Sequence, residues 1–283
     1  MTRSHWTRPT ATLAAAGLSL ALLAGCGSSG GDASPTTTKA EAKATTTAAA
    51  DAPLTILVGN DDGYAADGID ALVEGLRTVE GVKVVVVAPA SNQSGTGGTT
   101  TDGDLETAKV ETASGYPATS VVGYPADAIR VAMDEQGVDP DLVITGINQG
   151  QNIGPLVDVS GTVGAARAAV ARGVPALATS QGTGASFDYE AAVPLILDWL
   201  AGHRADIAAG KMDATVTNLN VPSCDQGKVR GLLEVDVDAA GGADALKPQD
   251  CTSTVPASSL TTDVPAFNNG YATISEVPAT PSS

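Results

Sequence analysis

Positive charge is scarce in this sequence. Its 283 residues include 15 lysines and arginines against 32 aspartates and glutamates, which gives a formal net charge of −17. Proteins that bind nucleic-acid polymers carry basic patches that contact the phosphates. We therefore expect no nucleic-acid polymer as a partner. A small phosphorylated substrate stays compatible with this charge if a metal ion stands between the phosphate and the protein.

Histidine is also scarce, with two residues in the whole chain. His5 lies in an N-terminal leader, and His203 lies beyond a predicted helix, where we expect a surface residue rather than a catalytic one. No Gly-x-Ser-x-Gly elbow joins a predicted strand to a predicted helix. These absences argue against a serine hydrolase, which needs such an elbow and a histidine base.

Cysteine occurs three times, and the first one follows an apolar leader. Arg3 and Arg8 precede the apolar run 11–23, which is too short to span a membrane comfortably and is typical of a signal peptide. Residues 23–26 read Leu-Ala-Gly-Cys, which resembles the bacterial lipoprotein cleavage box. We expect residues 1–25 to be removed and Cys26 to be lipidated, so that the chain is exported and anchored to the cell membrane on its extracytoplasmic side. A plain secretory signal with an incidental cysteine is the alternative.

Residues 26–53 are predicted to be a flexible tether. They are mostly Gly, Ser, Thr, Ala and Lys, and they contain almost nothing that could be buried. The two other cysteines of the chain, Cys224 and Cys251, permit a single pairing in an exported protein. We predict that they form a disulfide that closes a C-terminal loop.

Buried strands and amphipathic helices alternate along residues 54–222. A strand–helix–strand order predicts a right-handed parallel unit, and strands that are apolar on both faces suit a sheet covered by helices on each side. The predicted class is therefore α/β, with three layers and a mostly parallel sheet. Strands are predicted at 55–58, 83–88, 109–112, 119–122, 141–145, 174–179 and 216–221, and helices at 68–79, 124–135, 160–172 and 188–200.

The alternation stops after residue 222, and residues 223–283 are predicted to form a β-rich C-terminal extension. Two strands are expected in it, at 232–237 and 271–274, in surroundings rich in Pro, Ser and Thr. Two arrangements are open for these strands. They form either a separate hairpin arm or a surface that packs on a partner subunit.

Polar side chains, two of them acidic, follow the first predicted strand after Gly59, as Asn60, Asp61 and Asp62. Two adjacent carboxylates raise each other's pKa, and a divalent cation removes that cost because it binds hard oxygen ligands. The alternative is an ordinary turn, since Asn, Asp and Gly all favour turns.

Two further loops that follow strands carry short oxygen-bearing side chains, Ser94 in one and Asn148 and Asn152 in the other. The carboxyl ends of parallel strands meet at one edge of a sheet, so these side chains should converge with the two aspartates. An all-oxygen set favours Mg²⁺, Mn²⁺ or Ca²⁺ over Zn²⁺. The helix that begins with Ser-Gly-Thr at 160–162 offers backbone N–H groups to an anion. Ordinary N-capping by the serine is the alternative for that segment.

Five segments in this order resemble the SurE family of metal-dependent phosphatases and nucleotidases. Their order and spacing agree over roughly residues 54–221, and the resemblance is weak beyond residue 223. The segments read ILVGNDDG at 56–63, VAP at 87–89 with SG at 94–95, PAD at 125–127, PDLV at 140–143 with GINQGQNIG at 146–154, and SGTVGAA at 160–166.

The resemblance implies a Rossmann-like α/β/α domain that hydrolyses phosphomonoesters, often nucleoside monophosphates, as 5′- and 3′-nucleotidases do. It implies a divalent cofactor, Mg²⁺ or Mn²⁺, whose ligands would be Asp61, Asp62, Ser94 and Asn148. It implies a phosphate pocket lined by Asn60, Gly95, Asn152, Ser160, Gly161 and Thr162. Dimers or tetramers that exchange C-terminal segments are implied as well. Because the extension matches poorly, a homodimer is an open expectation.

The catalytic hypothesis centres on Asp61 and Asp62. Asp61 would orient or deprotonate the attacking water as a general base, and direct attack by Asp61 on phosphorus is the rival. One departure from many relatives lies nearby, where Ala-Asp-Gly at 66–68 replaces Ala-Pro-Gly. We expect Asp67 to cap the following helix, and a contact behind the metal ligands or a surface charge are the alternatives. A non-catalytic lipoprotein that binds a phosphorylated ligand is the alternative to an enzyme.

Overall fold

The computed structural model of the protein describes residues 53–281. The predicted leader, the lipidation site Cys26 and the tether up to residue 52 lie outside the described residues. Within them, no helix combines the length and the apolar character that crossing a membrane requires.

The described residues build a sheet of nine strands in the order β3-β4-β2-β1-β5-β6-β7-β9-β8. The six strands from β4 to β7 in this order are parallel, β3 and β9 run antiparallel to β4 and β7, and β8 is parallel to β9. The strands are β1 Leu54–Gly59, β2 Val82–Pro89, β3 Thr107–Glu111, β4 Pro117–Val121, β5 Leu142–Gln149, β6 Ala176–Gln181, β7 Val216–Val221, β8 Leu232–Glu234 and β9 Ala272–Val277.

Helices cover both faces of the sheet, which gives the three layers that the alternation predicted. Five α-helices are described: α1 Asp67–Arg77, α2 Pro125–Arg130, α3 Gly161–Val170, α4 Tyr189–Ala208 and α5 Asp263–Asn268. A π-turn, Val131–Glu135, extends α2, and short 3₁₀ helices occupy Gly154–Asp158, Gly242–Leu246 and Ala257–Ser259. The predicted α/β class with a mostly parallel sheet is confirmed.

Two hydrophobic cores lie on opposite faces of the sheet, because successive strand side chains point to opposite sides. Ile56 and Val58 of β1 belong to the core under α1 and α4, while Leu57 belongs to the core under α2 and α3. The helix α4 ends eight residues beyond the predicted end at residue 200, because Ile207 is buried in the first of these cores and keeps the chain helical.

Strand β5 is longer than predicted, and this places Asn148 on a strand rather than in a loop. Beyond Thr145 the sequence turns to Gly and Asn, which disfavour strands. Pairing with β6 overrides this preference, and the register shifts between Thr145 and Asn148. Gly146 makes the shift feasible: its φ is +122°, and a Cβ there would lie 2.2 Å from the carbonyl oxygen of Thr179.

The C-terminal extension continues the central sheet, so the expectation of a separate hairpin arm is wrong. β9 pairs antiparallel with β7, with Ile274 opposite Leu219, and thereby covers what would otherwise be an exposed edge of the sheet. The strand predicted at 232–237 is limited to β8, and the strand predicted at 271–274 is β9. Cys224 and Cys251 are joined by a disulfide, with their Cα atoms 5.7 Å apart.

Candidate active site

The turn after β1 carries the first group of predicted site residues. Asn60 is buried, and both polar atoms of its side chain bind Gly63: Nδ2 donates to the carbonyl oxygen at 2.9 Å, and Oδ1 accepts from the N–H at 3.2 Å. These bonds close a tight turn of the kind that Asn favours. Asn60 therefore shapes the turn, and it does not line the cavity at which six of the predicted site residues meet.

Asp61 is 2% exposed and is held by the start of α3. The hydroxyl of Thr162 donates a hydrogen bond of 2.7 Å to Oδ1 of Asp61. Burial raises the pKa of Asp61 to about 6, the Thr162 hydrogen bond opposes this rise, and the charge of Asp62 adds to it. The close packing requires glycine at position 161, since a Cβ there would lie 2.8 Å from the Cβ of Asp61.

Asp62 is half-buried and accepts hydrogen bonds from two other segments of the chain. The backbone N–H of Gln149 donates to its Oδ2, and Nδ2 of Asn92 donates to its Oδ1, both at 2.9 Å. Burial raises the pKa of Asp62, and these two hydrogen bonds work against the rise. The carboxylate thus links the turn after β1 to the end of β5 and to the loop after β2.

The loop after β2 is fastened to the site on both sides. The N–H of Gln93 donates to the carbonyl oxygen of Asp61 at 2.7 Å, and the N–H of Gly97 donates to Val159 at 3.0 Å. The loop lies so close to α3 that a Cβ at Gly164 would lie 2.0 Å from the Gly97 carbonyl oxygen. These contacts position the exposed Ser94 at the mouth of the site.

Asn148 presents an acceptor that has no partner among the described residues. Its Nδ2 donates to the carbonyl oxygen of Gly150 at 2.7 Å, which orients the amide. Its Oδ1 is buried and accepts no hydrogen bond. Buried acceptors are normally satisfied, so this oxygen fits a position that a bound ligand completes.

Residues from the separate strand ends meet at one cavity of about 180 Å³. Six of the ten predicted metal and phosphate residues line it: Asp61, Ser94, Gly95, Asn148, Asn152 and Ser160. The other four, Asn60, Asp62, Gly161 and Thr162, do not line it. Asp62 and Thr162 bind residues that do, and Gly161 packs against Asp61.

Some predicted roles differ from what the side chains do. The Ser160 hydroxyl accepts from the N–H of Val163 at 3.1 Å, so it caps α3 as the ordinary alternative stated. The Asn152 side chain donates to the Ser180 hydroxyl at 2.9 Å. The prediction that Asp67 caps the following helix is wrong. Asp67 is exposed and is the first residue of α1, and the N-cap residue is Ala66.

The start of α3 still offers donors to an anion. Helix geometry leaves the first N–H groups without intrahelical acceptors, and the N–H groups of Gly161 and Thr162 are the first two in α3. They lie beside the cavity, because Ser160 lines it. This arrangement suits a phosphoryl group at the helix terminus.

Asn92 and Gln149 are site residues that the sequence reasoning missed. Asn92 binds Asp62, and Gln149 lines the cavity and supplies a backbone N–H to the same carboxylate. Both lie within the polar segments that the sequence pointed to, but the segments contain several amides of similar character. Which amide faces the aspartates depends on the course of the loops.

Comparison with known proteins identifies the family of the chain. The family model described as "Survival protein SurE" matches residues 56–239. The chain belongs to the SurE family. A protein of Prochlorococcus marinus (strain MIT 9303) named "5'-nucleotidase SurE" is 38% identical to it over 176 residues, and a protein of the same name from Sorangium cellulosum (strain So ce56) is 41% identical over 184 residues.

These alignments cover about three-fifths of this SurE chain, 61% and 62%, and 64% and 67% of the relatives' own lengths. The crystal structure of the SurE protein from Aquifex aeolicus resembles it with a TM-score of 0.63 and 24% sequence identity. That likeness covers 81% of this chain and 95% of the other, and it supports the fold.

Proposed function

We propose that this chain is a divalent-metal-dependent phosphomonoesterase that hydrolyses nucleoside monophosphates outside the cytoplasm. The observation that carries the proposal is the meeting of Asp61, Ser94 and Asn148 at one cavity beside the start of α3. The names of the curated relatives, "5'-nucleotidase SurE", support the same reaction class.

The donor set suits a hard cation. Among residues 53–281 no three His, Cys, Asp or Glu side chains gather as a metal-binding group. The candidate ligands are instead two carboxylates, a hydroxyl and an amide oxygen: Asp61, Asp62, Ser94 and Asn148. The unpartnered Oδ1 of Asn148 fits this role, and oxygen ligands of this kind favour Mg²⁺ or Mn²⁺. A cation bound there would supply Lewis-acid charge to a phosphoryl oxygen.

The residues of the chain divide the remaining work. The N–H groups of Gly161 and Thr162 bind the oxygens of the phosphoryl group, where negative charge develops. Asp61, whose orientation is set by the Thr162 hydroxyl, accepts the proton of the attacking water. The water oxygen bonds to phosphorus while the ester oxygen leaves and takes up a proton from solvent, so the products are inorganic phosphate and a nucleoside. A cavity of about 180 Å³ accommodates the phosphoryl group, and the nucleoside extends outside it.

Phosphate release from AMP tests the proposal. We expect turnover by the full chain with Mg²⁺ or Mn²⁺, loss of turnover with a chelator, and a loss of at least about 100-fold in Asp61→Asn. Asp206→Asn, on an exposed position of α4, is the matched control and should keep wild-type activity. Phosphate release that is unchanged by the chelator, or undiminished phosphate release by Asp61→Asn, would contradict the mechanism. If AMP binds through its phosphate group but is not hydrolysed, the alternative of a ligand-binding lipoprotein is favoured instead.

Membrane attachment is the second part of the proposal and has its own test. The cleavage-box segment that ends at Cys26 supports lipidation of this residue. Full-length chain expressed in a bacterium that processes lipoproteins should fractionate with membranes and incorporate labelled palmitate. Cys26→Ser should abolish both without changing the phosphatase activity of the purified full-length chain. Light scattering on that chain tests the expected homodimer.

A further inference from the structure

The cavity of about 180 Å³, which is proposed to hold the phosphoryl group, is called the phosphate cavity below. A second cavity, of about 630 Å³, lies at the start of α4 and is more than three times as large. Its walls combine an aromatic pair, Phe187 and Tyr189, with carboxylates. Among the described residues that line it, none is basic. The acidic members are Asp67, Asp70, Asp188, Glu190 and Asp225.

The aromatic pair is preformed. The rings of Phe187 and Tyr189 are stacked with centroids 5.9 Å apart and planes inclined by 14°. Tyr189 packs against Gly68, where a Cβ would lie 3.1 Å from the ring carbon Cε1. Two carboxylates fix the backbone around the pair: Asp188 caps α4 by accepting from the Ala191 N–H, and Asp225 accepts from the Ala185 N–H at 2.7 Å.

One of the two phenylalanines of the chain lies at this cavity. The sequence has two phenylalanines, of which Phe267 is fully buried in the core. Phe187, the other one, is half-buried at the cavity beside the half-buried Tyr189. The pair therefore offers ring surface to a ligand, in a chain of which only 3% of the residues are aromatic.

The two cavities are neighbours across Gly68 of α1. A Cβ at Gly68 would lie 3.1 Å from the ring carbon Cε1 of Tyr189, which lines the larger cavity, and against the carbonyl oxygen of Ile147, which precedes Asn148 of the smaller cavity. A second link runs through Gln249, whose side chain donates to the carbonyl oxygens of Thr183 and of Ser223, a residue of the larger cavity. The N–H of Thr183 in turn donates at 3.2 Å to Gln151, which lines the smaller cavity. An ester whose phosphoryl group occupies the smaller cavity can extend its leaving group into the larger one.

We propose that the larger cavity is the leaving-group subsite and that it favours phosphomonoesters of cationic amino alcohols over esters of uncharged alcohols of the same shape, in addition to the nucleoside monophosphates proposed above. This rests on the proposed phosphomonoesterase function. Aromatic faces flanked by carboxylates attract ammonium groups, because the ring face and the carboxylate are both negative. Hydrolysis of such an ester by water yields the amino alcohol and inorganic phosphate.

A pair of isosteric esters isolates the charge of the leaving group. Choline phosphate and 3,3-dimethylbutyl phosphate have nearly the same shape, but the second carries a carbon atom in place of the ammonium nitrogen. The measure is the ratio of their kcat/KM values with the full chain and Mn²⁺. Because choline is the better leaving group, the change in this ratio between wild type and variants is decisive, and not the ratio itself.

We expect the preference for choline phosphate to fall about tenfold in Tyr189→Leu, which removes the ring, and to stay within about twofold in Tyr189→Phe, which keeps it. Asp188→Asn, which keeps an efficient helix cap, should lower the preference by a smaller factor. An unchanged ratio in Tyr189→Leu would overturn the inference.

The failure of this inference is distinguishable from failure of the proposed function. Turnover of AMP and of both isosteres at unchanged ratios would reject the cationic subsite and leave the phosphomonoesterase intact. If no ester is hydrolysed, the phosphomonoesterase is rejected. Calorimetric titration with choline alone then decides on the subsite: binding to wild type that is lost in Tyr189→Leu supports it, and absence of binding rejects it.

Discussion

The hydroxyl of Thr162 donates a hydrogen bond of 2.7 Å to Oδ1 of Asp61, and this bond joins the first turn of α3 to the turn after β1. It satisfies a buried carboxylate and fixes its orientation toward the cavity. The start of α3 therefore has two roles in the proposed site. It offers N–H groups to the phosphoryl group, and it positions the candidate base.

Replacing this hydroxyl should weaken both stability and turnover. Thr162→Val keeps the shape of the side chain but removes the side-chain hydrogen bond to a buried carboxylate, which costs about 1–3 kcal/mol of unfolding free energy at neutral pH. We expect kcat for AMP to fall roughly 10- to 100-fold because Asp61 is no longer held in place. Thr162→Ser, which restores the hydroxyl, is the matched control. Equal kcat values for the two variants would show that the bond has no part in catalysis.

The protonation of Asp61 should appear in the pH dependence of stability. Its pKa in the folded protein is about 6, above the ordinary value of 3.8. Protonated Asp61 therefore favours the folded state; the contribution is complete below about pH 4 and is lost as the pH rises through about 6. In metal-free protein we expect wild type to lose about 3 kcal/mol of unfolding free energy relative to Asp61→Asn between pH 4 and pH 8.

Urea unfolding of both proteins with a chelator measures this difference, in which the other titrating groups cancel. Mn²⁺ added at pH 8 should stabilise wild type more than Asp61→Asn, because the ionised carboxylate is the form that binds a cation. Parallel pH curves for the two proteins would mean that Asp61 has an ordinary pKa.

The unpartnered oxygen of Asn148 separates cation binding from packing. Asn148→Leu removes an oxygen ligand and should weaken Mn²⁺ binding by roughly tenfold or more. Asn148→Asp keeps an oxygen and adds charge, so it should bind Mn²⁺ at least as tightly as wild type while the metal-free protein becomes less stable beside two other carboxylates. Electron paramagnetic resonance of free Mn²⁺ gives both affinities. Unaltered affinity in Asn148→Leu would remove this residue from the ligand set.

The meeting of these side chains could be predicted from the sequence, because each of them follows or ends a strand of a parallel sheet. Asp61, Ser94 and Asn148 are far apart in the chain, yet parallel strands bring the ends of β1, β2 and β5 to one edge. Motif order was enough to infer this meeting. The same reasoning could not assign Asn60, because whether an Asn binds a ligand or closes its own turn depends on a local backbone geometry that composition does not reveal.

The extension shows where local patterns stop being informative. Residues 271–274 were predicted as a strand, but nothing in their sequence specifies β7 as the neighbour. The pairing depends on the long connection after Pro222, and on bonds such as that of Asp263, whose buried carboxylate accepts from the N–H groups of Gly154 and Asp238. Such long-range contacts are settled by the assembled fold rather than by propensity.

The disulfide of this connection should contribute stability through the unfolded chain. Cys224 and Cys251 are 27 residues apart in sequence, and closing a loop of this length lowers the entropy of the unfolded state. We expect Cys224→Ser combined with Cys251→Ser to lower the free energy of unfolding by about 3–4 kcal/mol under oxidising conditions. Reductant should lower the stability of wild type by a similar amount and leave the double variant unchanged. Alkylation of both cysteines in unreduced, denatured wild type would contradict the pairing, because a disulfide leaves no thiol to react.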